Sequence, residues 1–65
     1  MIRFDTSTYE SSHGKQPRGD GYWAFQLMGA PAHVEQPVFL NGTLTQCRAK
    51  LAKQFPWLRV AKVLP

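Results

Sequence analysis

The chain has a single cysteine, no long apolar run, and no acidic side chain anywhere after Glu35. Each absence excludes something. The lone Cys47 cannot close an internal disulfide, and with only His13 and His33 beside it no spacing resembles a zinc site. No stretch approaches the ~20 apolar residues that a membrane span requires. The opening "MIRFDTSTYE" carries acids and no continuous apolar core, so it does not read as a secretion signal, and a reduced, cytoplasmic location is the expectation. No Gly-Lys-Ser/Thr ending follows the glycines of "GKQPRGDG", which excludes a P-loop.

The missing acids leave a lopsided charge. Residues 1–35 hold Arg3, Lys15 and Arg18 against Asp5, Glu10, Asp20 and Glu35; residues 36–65 hold Arg48, Lys50, Lys53, Arg59 and Lys62 against none, which gives −1 and +5 and the overall +4. An acid-free half favours an anionic partner such as nucleic acid. The same imbalance also serves solubility.

With 65 residues the sequence predicts one small domain over 1–65, and the 43% apolar share is enough for a folded core. A core of this size is small, so idealised packing or self-association must supply the rest of the stability. The plainest element is a helix in "TLTQCRAKLAKQF". Thr43 and Gln46 form a capping-box pair, Leu44, Cys47, Leu51 and Phe55 make an apolar stripe with Ala52 beside it, and Pro56 ends the run. Lys50 and Lys53 fall on the solvent side, and Arg48 at the stripe's edge must snorkel.

"GYWAFQLM" alternates as a strand, with Trp23, Phe25 and Leu27 on the face that the helix covers and Tyr22, Ala24, Gln26 and Met28 on the other. "PVFLNG" reads as a shorter strand turning at Asn41-Gly42, and "GAPAHVEQP" as a wide connection between the two. "WLRVAKVLP" reads as a last strand, at an edge or packed on both faces. The alternation of Ile2, Phe4, Thr6 and Thr8 in "IRFDTSTYE" gives a first strand. The expected fold is α+β, a small antiparallel-rich sheet with one helix on one face, in the order β-β-β-α-β.

The stretch "SSHGKQPRGDGYWAF" raises the question of a site. Lys15 and Arg18, framed by Gly14, Gly19 and Gly21, could offer cations and backbone amides to phosphate, or the segment is a flexible lead into a strand. Arg18-Gly19-Asp20 spells an integrin tripeptide, but in a chain with neither a secretion signal nor disulfides it reads as a coincidence. No spacing of Ser11, Ser12, His13, His33, Asp5 or Glu35 makes a catalytic constellation, and Cys47 on the apolar stripe reads as a small hydrophobe. The chain therefore reads as no enzyme, with no cofactor, no metal, no membrane partner and no small-molecule substrate expected.

The pattern "GYWAF" followed by "VFLNGTLTQCRAKLAKQF" resembles the three-stranded sheet plus helix of plant AP2-type and phage-integrase arm-type DNA-binding domains. That resemblance implies a sheet laid on DNA, but there is no lysine or arginine between Tyr22 and Gly42, which counts against reading DNA with that face. His13, Gly14, Lys15, Pro17, Gly19, Gly21, Trp23 and Phe25 also match the signature of a group of short bacterial and phage-type proteins. That second resemblance implies a stand-alone protein and carries no activity with it.

The functional expectation is a small basic accessory protein associated with nucleic acid through phosphate contacts at Lys15, Arg18, Lys50, Lys53, Arg59 and Lys62. Tyr22 and Trp57 are the candidates for stacking or a partner contact. The alternative is a protein-interaction module, a homodimer or a regulator of a larger protein, pairing through its first or last strand.

Overall fold

A computed structural model describes residues 2–65. Along the chain run β1 (Arg3–Asp5), α1 (Ser7–His13), β2 (Gly21–Leu27), β3 (Val38–Gly42), α2 (Leu44–Gln54) and β4 (Val60–Val63). The fold is α+β, with a four-stranded mixed sheet in the order β1-β4-β2-β3. β2 pairs antiparallel with both β3 and β4, and β4 pairs parallel with β1.

Three sequence expectations are corrected here. Among the described residues there are two helices, and the order is β-α-β-β-α-β. The first strand ends at Asp5, because the chain turns there. The Asp5 carboxylate accepts from the Ser7 amide (3.1 Å) and the Ser7 hydroxyl (2.7 Å), an Asx-type turn that starts α1. The Thr6 hydroxyl donates to the Glu10 carboxylate one turn on, and Gly14, left-handed at φ 72°, closes the helix by donating its N–H to the Glu10 carbonyl. The last strand, expected at an edge or packed on both faces, is internal and shorter than its sequence pattern: β4 lies between β1 and β2, and Trp57 and Leu58 belong to the turn before it.

α2 forms as its sequence predicts. The Thr43 hydroxyl accepts from the Gln46 amide at 3.2 Å, and the Gln46 side-chain oxygen accepts from the Thr43 amide at 2.9 Å. Two amide groups at the first turn, which no helical carbonyl can reach, are thereby satisfied. The ring of Pro56 removes the next donor, and Phe55 ends the helix with its N–H on the Leu51 carbonyl.

Cross-strand registry sorts the two sheet faces. Phe4 opposite Ala61, Phe25 opposite Val63 and Val38, and Trp23 opposite Leu40 all face α2. These join Ile2, Leu27, Cys47, Leu51 and Leu58 in one core. Phe25, Leu51, Val63 and Cys47 are fully buried, and Leu44 and Phe55 pack at the margin of the stripe, whereas Ala52 is exposed. The Trp23 indole N–H donates to the Gly42 carbonyl at 2.9 Å, so the ring is buried without an orphaned donor. No helix among the described residues is long and apolar enough to cross a membrane.

Candidate nucleic-acid interface

The second face of the sheet carries the residues of opposite parity: Arg3 and Asp5 on β1, Val60 and Lys62 on β4, Tyr22, Ala24 and Gln26 on β2, Phe39 and Asn41 on β3. α2 packs on the opposite face, and α1 borders this one. Tyr22 and Phe39 are 67% and 50% exposed. Their rings stack with centroids 5.6 Å apart and planes only 10° from parallel. The stack is diagonal, since Phe39 pairs with Ala24 and Tyr22 with Asn41. Ala24, being small, leaves a hollow beside Phe39. Tyr9, His13, Tyr22, Phe39 and Leu64 line the resulting cleft of about 330 Å³.

α1 supplies one wall of that cleft. Tyr9 stacks on His13, one turn later, at 4.1 Å and 19°, and tilts onto Trp23 at 5.7 Å. His13 is thus the last residue of a helix, and the "SSHG" portion of the opening stretch is its final turn and cap. Beyond it Pro17 is buried, and Trp23 and Phe25 are core. Most of the stretch is structural; Lys15 and Arg18 remain exposed on the connection that leads into β2.

The six predicted phosphate contacts are not brought together. Lys62 lies on the uncovered face, flanked in register by Gln26 and Asp5. The Asp5 carboxyl is held below the ordinary carboxylate range by the Ser7 hydroxyl and amide, then by Lys62 and Arg3, so it stays charged beside those cations. Lys53 is exposed on α2, across the sheet from Lys62, and Arg59 is exposed ahead of β4. Lys50 is engaged: its ammonium donates to the Asn41 carbonyl at 3.0 Å, on the outer strand β3. Arg48 does the same on the opposite flank, its Nε–H on the Ile2 carbonyl at 3.0 Å just before β1. α2 therefore sends one cation to each side of the sheet it covers, and both guard carbonyls that another strand could use.

Of the two predicted aromatics, Tyr22 stands on the uncovered face. Trp57 is 40% exposed elsewhere, edge-on to Phe55 at 5.7 Å and 64°. Phe39 was not among the expected contacts, although Val38 and Leu40 facing inward leave it no other direction. The signal was the alternation of "VFL" itself. Among the described residues no cluster of three or more His, Cys, Asp or Glu side chains could hold a metal ion. No protein-family model matches the chain, and neither a curated protein nor a solved structure proves significantly similar to it.

Proposed function

We propose that this is a non-enzymatic, nucleic-acid-associated protein whose partner is single-stranded. The observation that carries this reading is the Tyr22–Phe39 stack, two rings exposed in parallel on an uncovered sheet face of a chain with net charge +4. Every base has a π-face, so stacking on such rings is tolerant of sequence and contributes about 1–3 kcal/mol per base. Duplex DNA hides those faces, and β2 and β3 offer no cation to its backbone. Lys62 and Arg3 on the neighbouring strands, with Lys15 and Arg18 on the connection to β2, are the phosphate contacts of this reading. Arg59, Lys50 and Lys53 add only to the long-range field.

The test is binding of a fluorescent oligonucleotide to the full chain, single-stranded and duplex, at several salt concentrations. Single strands bind in preference, and the affinity falls steeply with salt as counterions are released. Tyr22→Ala and Phe39→Ala each weaken single-strand binding by roughly 5- to 100-fold, the fold equivalent of one lost base stack. Equal binding of both variants, or no binding at low salt, overturns the proposal.

The alternative, partner binding by strand addition, has less to support it. β4 is internal, and the flanks of β1 and β3 are guarded by Arg48 and Lys50. A concentration-dependent dimer in sedimentation would restore it.

A further inference from the structure

A second cavity lies on the other side of the molecule, between β1, the segment around Pro17 and the first turn of α2. It measures about 500 Å³, within the range of small-molecule sites. Ile2, Phe4, Pro17 and Leu44 supply apolar walls, Arg48 supplies a cation, Arg3 borders the cavity with its side chain turned to the other sheet face, and no acidic side chain lines it.

Arg48 is held in place there on two sides. Its Nε–H donates to the Ile2 carbonyl at 3.0 Å, and its guanidinium carbon lies 4.9 Å from the centre of the Phe4 ring. Phe4 in turn stacks on the fully buried Phe25 at 5.2 Å. The guanidinium plane is thus fixed by one backbone acceptor and one ring that the core itself positions. Among the described residues no other hydrogen bond engages it, so its terminal N–H groups stay available in a half-buried setting. A guanidinium so arranged suits a carboxylate or phosphate oxygen pair.

We propose that this cavity binds a small organic anion, its carboxylate or phosphate on Arg48 and its apolar body against Ile2, Phe4, Pro17 and Leu44. The sequence suggested no such ligand, because the cavity is assembled from three separated segments. It is also independent of the Tyr22–Phe39 face.

The experiment is an NMR titration of the isotope-labelled full chain with phenyl phosphate, benzoate and benzyl alcohol in turn. Phenyl phosphate or benzoate moves the Phe4 and Leu44 amides and the Arg48 Nε–H saturably, and benzyl alcohol, isosteric but neutral, binds at least about tenfold more weakly. Arg48→Gln weakens the anion by a similar factor. Should that variant fail to fold, Arg48→Lys, which keeps the charge but not the paired N–H groups, gives a smaller loss in a folded chain. Tyr22→Ala leaves anion binding unchanged. Equal response to benzyl alcohol, no saturable shift with either anion, or an Arg48 signal that moves only with an oligonucleotide would each overturn the assignment.

Discussion

The Trp23 indole and the Gly42 carbonyl, 2.9 Å apart, tie the first residues of β2 to the last residue of β3, immediately before the cap of α2. One hydrogen bond thus fixes where the hairpin ends and where the helix begins. Trp23→Phe keeps most of the ring and removes the donor. It should cost about 1–3 kcal/mol, from the unpaired carbonyl and the lost volume, measured as a lower urea midpoint with an unchanged slope.

The cap itself can be tested separately. Thr43→Ala should destabilise by about 1 kcal/mol. Because Thr43 and Gln46 satisfy each other's amides, the double variant with Gln46→Ala should cost less than the two single losses added together. Strict additivity in thermal unfolding would mean that the reciprocal bonds do not act as a unit. Gly42 adds a second constraint at this corner. Its φ is +119°, and a Cβ there would lie 2.6 Å from the Gln46 side-chain oxygen, so Gly42→Ala strains the backbone and displaces the cap at once.

Legibility in the sequence followed the range of the interactions involved. α2 was readable because both of its ends are marked locally, by Thr43 with Gln46 and by Pro56, and because Leu44, Cys47, Leu51 and Phe55 share a face. Trp23, Phe25 and Leu27 were readable through alternation. α1 was hidden because Ile2, Phe4, Thr6 and Thr8 also alternate and the helix buries no residue of its own. Its ends hold it, through Asp5 with Ser7 and Gly14 with Glu10. Those signals are short-range and were outweighed by a strand-like pattern. The place of β4 depends on pairing with residues near the other end of the chain, and Lys62 on one of its faces leaves an edge place and a doubly packed one both open in the sequence. For the site, Tyr22 is legible in the sequence, and Phe39 becomes so only once Val38 and Leu40 are seen to face inward. The cavity around Arg48 has no linear signature.

Cys47 offers a probe of the core. The thiol is fully buried and burial pushes its pKa up, by more than Lys50 lowers it. In the folded protein it should resist thiol reagents, and labelling should proceed only through opening of the core. The unfolded thiol ionises near ~8.5 while the folded one keeps its proton to higher pH. Stability linked to this group is therefore full below that value and is lost as pH rises through the raised folded value. Urea titrations at neutral and alkaline pH should show a steeper loss for the native chain than for Cys47→Ala. Rapid labelling of the folded chain at neutral pH would contradict this account.

Asp5 behaves in the opposite sense. Its carboxyl is lowered by Ser7 first and by Lys62 and Arg3 after, so the stability it gives α1 is present above the ordinary value of ~3.9 and fades as pH falls through the lower folded value. A carbon-detected titration should place the Asp5 midpoint below that of an unstructured aspartate, with the Ser7 amide following the same curve. Asp5→Ala should abolish that coupled transition and fray the first turn of α1.

The position of β4 bears on how the chain comes together during synthesis. Arg3 finds its register against Val60, and Leu27 against Ala61, so the two halves of the sheet are joined only by the final strand. On the ribosome, β1 and the β2–β3 hairpin have nothing to bridge them until Val63 has cleared the exit tunnel. Such distant pairing slows assembly and makes it a late, concerted event. A nascent chain stalled before Val60 should thus remain open to protease, whereas one extended far enough to release Val63 should close and become resistant.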